Sequence, residues 1–134
     1  MKNATLFSYL FIIISSLFIG CTTENLDYAG TARETISRGQ WSVDYCFADQ
    51  DKTSQFSKYQ FNFIGNGTLV VSNDSSSVSG SWSIVTDVNY NEVLRIKIDE
   101  AYFQTLNNQW TVTGNDMGRL TMSGADRQLR LRKL

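Results

Sequence analysis

Histidine and proline are absent from this sequence of 134 residues, and cysteine occurs only twice. Without histidine, the Ser-His-Asp and Cys-His catalytic arrangements and the common histidine-containing zinc sites are excluded. Two cysteines allow one disulfide at most. Because proline is missing, no strand loses a backbone donor to it. The fold must therefore be held mainly by its hydrophobic core.

Charge of either sign is scarce and nearly balanced. Twelve basic and thirteen acidic residues give a formal net charge of −1, so the composition gives no reason to expect a nucleic-acid partner. The exception is the last segment, which carries Arg127, Arg130, Arg132 and Lys133. Such a cluster is typical of a solvated strand face or a protected sheet edge, with an anion-binding site as the alternative.

Acidic residues form no recognisable catalytic or metal-binding motif. Asp49 and Asp51 have the spacing of a calcium loop, but its glycine and its distal glutamate are missing. Asp99 and Glu100 are adjacent, so in an extended chain they point to opposite faces and make a poor acid and base pair. The sequence therefore predicts a protein that is not an enzyme and has neither a cofactor nor a metal site.

The first twenty residues have the pattern of an export signal. Lys2 precedes an apolar run over residues 6–19, which is shorter than the ~20 residues of a membrane-spanning helix. The run ends in Phe18-Ile19-Gly20-Cys21, which resembles the signal of bacterial lipoproteins. That resemblance implies cleavage before Cys21 and acylation of Cys21 with palmitate-type chains. The alternatives are an ordinary secreted protein with a chance cysteine there and an uncleaved anchor helix.

The predicted lipoprotein divides into three parts. Residues 1–20 are the signal peptide, residues 21–38 the lipidated cysteine with a polar tether, and residues 39–134 the folded domain. Within the tether, Thr31 and Glu34 have the spacing of a capping box, which predicts a short helical turn. Thr22 follows the cysteine in place of the aspartate that favours the inner membrane, so we expect an anchor in the outer membrane, on its periplasmic or surface face.

Strict alternation of apolar and polar residues dominates the chain after residue 39. In residues 58–72 it runs into and out of a Gly65-Asn66-Gly67 turn, the pattern of an antiparallel hairpin. Eight such segments follow one another, joined mostly by short turns of glycine, asparagine, aspartate and serine. The segments are residues 40–47, the two arms of the 58–72 hairpin, and residues 78–85, 92–98, 109–113, 119–123 and 127–133. Residues 99–108 break the rhythm and are predicted to form a short helical turn or a lid-like loop.

The fold class predicted from these segments is all-β, an antiparallel eight-stranded up-and-down meander. No long helix is available for a parallel crossover. Closure into a barrel removes the unpaired edges, and a two-sheet β-sandwich of the same strands is the alternative. The outward positions are polar, so the barrel is expected to lie in water.

Gly39-Gln40-Trp41 opens the first strand, and with the meander that follows it the domain resembles lipocalins and small lipocalin-like bacterial lipoproteins. The resemblance implies that Trp41 closes one end of the barrel and that Arg127 or Arg130 packs across it by a cation-π contact. The segments are shorter than those of a full lipocalin. An eight-stranded barrel is either filled by side chains or wide enough for one small ligand.

Aromatic residues are the candidate ligand-binding residues, although each also fits a plain core role. The candidate pocket residues are Trp41, Tyr45, Tyr59, Phe61, Trp82, Tyr102, Phe103 and Trp110. The first hypothesis is a lipid-anchored envelope protein that binds a small apolar ligand. The second is a packed barrel that acts as an interaction or inhibitor module of the envelope through its loops, since lysozyme-inhibitor lipoproteins are also small eight-stranded barrels. Cys46 is predicted to point outward and to be unreactive.

Overall fold

A computed structural model describes residues 30–116 and 118–134, so the predicted signal peptide, Cys21 and most of the predicted tether lie outside the described residues. The strands are β1 (Trp41–Ala48), β2 (Gln50–Asp51), β3 (Gln60–Phe63), β4 (Thr68–Ser72), β5 (Ser77–Thr86), β6 (Glu92–Lys97), β7 (Gln109–Asp116), β8 (Arg119–Gly124) and β9 (Arg127–Lys133). The helices are α1 (Ala32–Ile36), α2 (Thr53–Phe56) and a 3₁₀ helix, here called the lid helix (Ala101–Leu106).

The sheet is a closed antiparallel barrel. Its long strands pair in the order of the chain, and β9 returns to pair with β1 from Trp41 opposite Lys133 to Ala48 opposite Arg127. The two-residue strand β2 only extends a hairpin at the end of β1. The predicted eight-stranded meander barrel is confirmed, and the β1–β9 ladder closes the ring that a sandwich would leave open.

The meander gives the barrel two distinct ends. The amino end consists of residues 31–40, the turns 64–67 and 87–91, Gly118 and Leu134. The lid end consists of residues 49–59, 73–76, 98–108 and 125–126. Successive turns of an up-and-down barrel alternate between the ends, so each turn belongs to one end and the strands form the wall between them.

Both ends are closed by helices that join the barrel core. Ala32 and Ile36 of α1 are fully buried at the amino end, while Phe56 of α2 and Leu106 of the lid helix are buried at the other. Thr31 caps α1 by accepting a hydrogen bond from the Glu34 amide at 3.3 Å, as the capping-box spacing predicts. The packed unit thus includes a helix inside the segment that the sequence assigns to the tether.

One prediction about β1 is wrong because the strand contains a β-bulge. The register with β9 shifts between Val43 and Tyr45, so two successive residues of β1 face outward. Beyond the bulge the alternation is inverted. Cys46 is fully buried, whereas Tyr45 is only partly buried and Phe47 is exposed. Tyr45 and Phe47 therefore do not line the interior, and Cys46 does not point outward as predicted.

Candidate binding surfaces of a closed barrel

The barrel interior is filled by the protein's own side chains. Trp41 and Trp110 are the largest side chains among those that are fully buried, Phe61 and Phe63 are also fully buried, and Trp82 and Phe103 are almost fully buried. A ring with no exposed area has no room beside it even for a water molecule. Each of these aromatic rings removes a large apolar area from water, and this burial stabilises the fold.

Each of the three tryptophans also fixes a segment that closes the barrel. The indole N–H of Trp41 donates to the Ile36 carbonyl at 2.9 Å, at the end of α1. Trp82 donates to the carbonyl of Ile64 in the β3–β4 turn at 2.8 Å. Trp110 donates at 3.0 Å to the carbonyl of Leu106 in the lid helix. Buried indole N–H groups need such acceptors, so core packing and closure of the ends depend on the same residues.

The eight candidate pocket residues divide into three groups. Five belong to the packed interior, namely Trp41, Phe61, Trp82, Phe103 and Trp110. Tyr59 and Tyr102 lie at the lid end, where Tyr59 packs against the core and Tyr102 is 49% exposed. Tyr45 lies outside the barrel beyond the bulge. The structure thus brings together most of these residues as a core, and it leaves Tyr59 and Tyr102 at a surface.

The lid end is closed by an aromatic cluster. Tyr102 and Phe103 of the lid helix contact Phe56 of α2 and Tyr59, with ring centroids 5.1–6.1 Å apart. The Tyr102 hydroxyl donates to the main-chain carbonyl of Gln55 at 2.8 Å. The side-chain amide of Gln55 donates to the main-chain carbonyl of Tyr102 at 2.9 Å. These reciprocal bonds fasten the two helices to each other, so the predicted lid-like segment is a closed cover.

Two shallow depressions open around this cover. One of about 360 Å³ lies beside the β8–β9 turn and is lined by Phe47, Ser123, Gly124, Asp126, Arg127 and Gln128. The other, of about 380 Å³, is lined by Lys58, Asn73, Asp74 and Ser75. Both are open to solvent and carry charges of both signs. Sequence reasoning missed Phe47 as a surface residue, because only the bulge turns it outward.

The basic residues of the last strand do not pack across Trp41. Arg130 donates to the Asp44 carboxylate at 2.8 Å, and its guanidinium lies 5.6 Å from the centroid of the Tyr45 ring. Arg127 reaches the Thr105 carbonyl at 3.5 Å, at the lid end. The implied cation-π contact with Trp41 is therefore wrong, since Trp41 is fully buried at the other end and the bulge places Tyr45 beside Arg130 instead.

Asp44 is the centre of an ion cluster on the barrel wall. Arg119 and Arg132 lie 3.9 and 3.7 Å from its carboxylate, in addition to Arg130. Arg119 and Arg132 are direct cross-strand neighbours, which would repel without this carboxylate. The three arginines are half exposed, so the pairs are largely screened by solvent. The cluster is best explained as a solvated strand face, one of the two readings of the sequence.

Cys46 has the environment of a structural thiol. Burial, and to a smaller extent the charge of Asp51, raises the pKa of the Cys46 thiol to about 11. At neutral pH the thiol is protonated, and only the thiolate is a good nucleophile. Within residues 30–116 and 118–134, no group of three or more acidic, cysteine or histidine side chains is placed to hold a metal ion, and no helix is long and apolar enough to cross a membrane.

Neither a protein-family model nor a curated protein matches this sequence, but solved structures share its fold. A DUF4847 family protein from Bacteroides vulgatus has a TM-score of 0.56 at 14% identity, over 76% of this chain and 96% of that one. A lipocalin-like protein from Bacteroides uniformis has a TM-score of 0.52 at 13% identity, over 75% and 99% of the two chains. An uncharacterised protein from Bacteroides eggerthii has a TM-score of 0.50 at 10% identity. At such identities the likeness establishes the fold, a lipocalin-like barrel.

Proposed function

We propose that this chain is a lipid-anchored protein of the cell envelope whose packed barrel binds a protein partner through the lid end. The observation that carries this proposal is the filled interior. Five of the eight candidate pocket residues are core, and helices cover both ends of the barrel. With the interior occupied, recognition is expected at the surface, where loops on a rigid scaffold present binding residues.

The lid end has the features of such a surface. Tyr102 is half exposed yet held in place by its hydroxyl bond and by three aromatic neighbours, so little entropy is lost when a partner covers it. Phe47 adds an exposed ring beside a depression that also contains Arg127 and Asp126. Tyrosine and arginine are enriched among residues that dominate binding energy at protein interfaces.

The envelope anchor is proposed from the sequence. Phe18-Ile19-Gly20-Cys21 ends an apolar run too short to span a bilayer, which supports acylation of Cys21 and attachment to the outer membrane. The mass of the amino-terminal peptide, purified from envelope after expression of the whole chain, tests this step. We expect a peptide that begins at acylated Cys21, and an unmodified or uncleaved amino terminus would contradict it.

Carriage of a small apolar ligand is the competing function, and native mass spectrometry separates the two. We expect the folded protein purified from envelope to have the same mass under native and denaturing conditions, because the covalent lipid is retained in both. An additional mass of a few hundred daltons that is lost on denaturation would instead show a carried ligand. Such a result would require the packed interior to open, and it would move the proposal to the carrier function.

Charge reversal at the lid end tests the partner surface itself. Lys58→Glu changes the second depression, whereas Lys97→Glu makes the same change at an exposed position on the wall strand β6. Intact envelope is treated with a chemical cross-linker, which joins the protein covalently to its partner. We expect this adduct to be lost in the Lys58→Glu variant and kept in the Lys97→Glu variant. Equal adduct yields at an unchanged melting temperature would count against the lid end as the binding surface.

A further inference from the structure

Exposed apolar side chains are unevenly distributed over the described part of the chain. The large ones are Phe47, Ile64, Val88, Tyr90, Tyr102 and Leu134. Four of these six lie at the amino end, in the turns 64–67 and 87–91 and at the last residue. Val88 and Tyr90 are 93% and 89% exposed, so neither side chain has more than slight contact with the rest of the chain. Exposed apolar side chains that are concentrated in the turns of one end favour an interaction surface at that end.

The β5–β6 turn presents Val88 and Tyr90 on a fixed backbone. The Asp87 carboxylate accepts hydrogen bonds from the amides of Asn89 and Asn91 at 2.8 and 2.9 Å, and the Asp87 amide donates to the Asn91 carbonyl at 2.9 Å. These bonds, above all the one from the Asn91 amide, hold the pKa of Asp87 below its usual value. Tyr90 has a φ of 65°, which a bulky residue rarely adopts.

The chain also enters the barrel at this end. The Gly30 carbonyl accepts a hydrogen bond from Asn115 at 2.7 Å, and the Ala32 amide donates to the Glu92 carboxylate at 2.9 Å, next to the β5–β6 turn. Nine residue steps separate Cys21 from Gly30. A fully extended chain of that length spans about 30 Å at most, so an anchor at Cys21 keeps the amino end near the bilayer.

Basic side chains accompany the apolar ones. Arg33 and Arg38 are exposed on and after α1, and Lys133 lies exposed against Gly39. Of the acidic side chains at this end, Asp87, Glu92 and Asp116 accept backbone N–H groups, while Glu34 is exposed. Cationic groups near an anionic lipid surface contribute about 1 kcal/mol each. Tyrosine favours the headgroup region, where its ring is buried and its hydroxyl stays hydrated.

We propose that the amino end docks on the bilayer, with Val88 and Tyr90 of the β5–β6 turn inserted at the level of the lipid headgroups. The proposal rests on the lipid anchor of the proposed function, because the anchor is what holds this end at the membrane. Docking orients the barrel with its axis towards the bilayer and directs the lid end away from it. The tethered protein then presents its partner surface outward.

Depth-dependent fluorescence quenching tests the docking. A bimane label is attached to Val88→Cys at the amino end or to Asp74→Cys at the lid end, both exposed, while the buried Cys46 stays unlabelled. The whole chain is expressed, extracted from envelope and reconstituted into vesicles of phosphatidylethanolamine and phosphatidylglycerol with headgroup-nitroxide lipids. The ends of the barrel are roughly 20 Å apart, so we expect about threefold stronger quenching at Val88 than at Asp74.

Two further readouts distinguish a failure of the proposed docking from a failure of the proposed lipid anchor. In the Val88→Cys protein, Tyr90→Asn is expected to reduce the quenching to the level seen at Asp74. Asparagine tolerates the positive φ at this position but lacks the aromatic ring that favours the headgroup region. Equal quenching at both labels, with an acylated Cys21 peptide in the same sample, would overturn the docking alone. A sample without the acyl mass would overturn the proposed anchor and the docking with it. Melting temperatures no lower than that of the unmodified chain confirm that the labelled variants are folded.

Discussion

At the scale of single residues, Tyr90 is in a conformation that its side chain does not favour. A left-handed backbone costs a non-glycine residue about 1 to 2 kcal/mol, and asparagine less, because its short side chain bonds locally. Tyr90 has a φ of 65° and its ring makes almost no contacts that offset this cost. Backbone strain of this kind is concentrated at functional sites, which supports the proposed insertion of Tyr90 into the headgroup region.

Tyr90→Asn is therefore expected to stabilise the isolated protein. We expect the free energy of unfolding to rise by about 0.5 to 1 kcal/mol, measured by urea unfolding in the absence of lipid. Val88→Asn is the matched control, since Val88 is equally exposed but is not among the residues with positive φ. A loss of stability with Tyr90→Asn would show that the ring makes a stabilising contact.

Titration of Cys46 is expected to lower the stability of the barrel at alkaline pH. Its thiol has a pKa of about 11 in the folded protein and 9.0 in the reference state, so the unfolded chain loses its proton first as pH rises. The contribution of Cys46 is constant below pH 9 and becomes unfavourable between pH 9 and 11. We expect a loss of about 2 kcal/mol over that range.

The comparison that isolates this effect is Cys46→Ala. The substitution lowers stability at every pH through lost packing, but it removes the titrating group. Urea unfolding from pH 8 to 11 should show a smaller decline for Cys46→Ala than for the unmodified chain, while tyrosines and lysines contribute equally to both. Parallel declines would show that the thiol titrates normally and that the burial of Cys46 is incomplete.

At the scale of the elements, the strands were predictable from the sequence and the bulge was not. Period-2 alternation identified all eight barrel strands, and in β9 (Arg127–Lys133) even the bounds agree with the prediction. In β1 the same alternation assigned Tyr45 and Cys46 to the wrong faces. A bulge adds one residue to a strand without leaving a mark in the apolar pattern, because aromatic residues are accepted on either face of a partly covered strand.

Helix α1 is an element whose role depends on tertiary contacts. Five residues are too few to form a stable helix alone. The polar composition of residues 22–37 suggested a tether, yet the few apolar side chains in it include Ala32 and Ile36, which are fully buried in the core. Local composition does not reveal that the barrel end offers these two side chains a place to pack.

Truncation of Ile36 tests whether α1 is a structural part of the barrel. Ile36→Ala is expected to lower the free energy of unfolding by about 2 to 4 kcal/mol, because it leaves a cavity beneath α1. Arg38→Ala, two residues further on and exposed, should change it by less than about 0.5 kcal/mol. If both substitutions have the same small effect, α1 contributes nothing to the core and belongs functionally to the tether.

At the scale of the whole molecule, the barrel has a filled middle and two different ends. The amino end combines the chain entry with four exposed apolar side chains, and the lid end combines an aromatic cover with two open depressions. The sequence predicted a closed barrel and a lid, but not this division, since the assignment of a turn to an end requires the order of all strands. The proposed docking of the amino end and the proposed partner surface at the lid end both depend on this division.

The three tryptophans allow the cooperativity of the whole molecule to be measured. Trp41 reports on the closure by α1 and Trp110 on the closure by the lid helix, through indole hydrogen bonds of 2.9 and 3.0 Å. Variants that keep one tryptophan and replace the other two by phenylalanine isolate each signal. Because both closing segments pack into the same core cluster, we expect one two-state transition in each variant.

The measurement compares tryptophan fluorescence with far-ultraviolet circular dichroism during urea unfolding of each variant. Coincident midpoints for the Trp41-only and Trp110-only proteins would show that neither end opens before the barrel unfolds, which agrees with a closed scaffold that binds at its surface. A fluorescence midpoint of the Trp110-only protein below its circular dichroism midpoint would instead identify the lid helix as a part that opens separately. That outcome would give a small ligand a route into the barrel and would favour the carrier function over the partner-binding one.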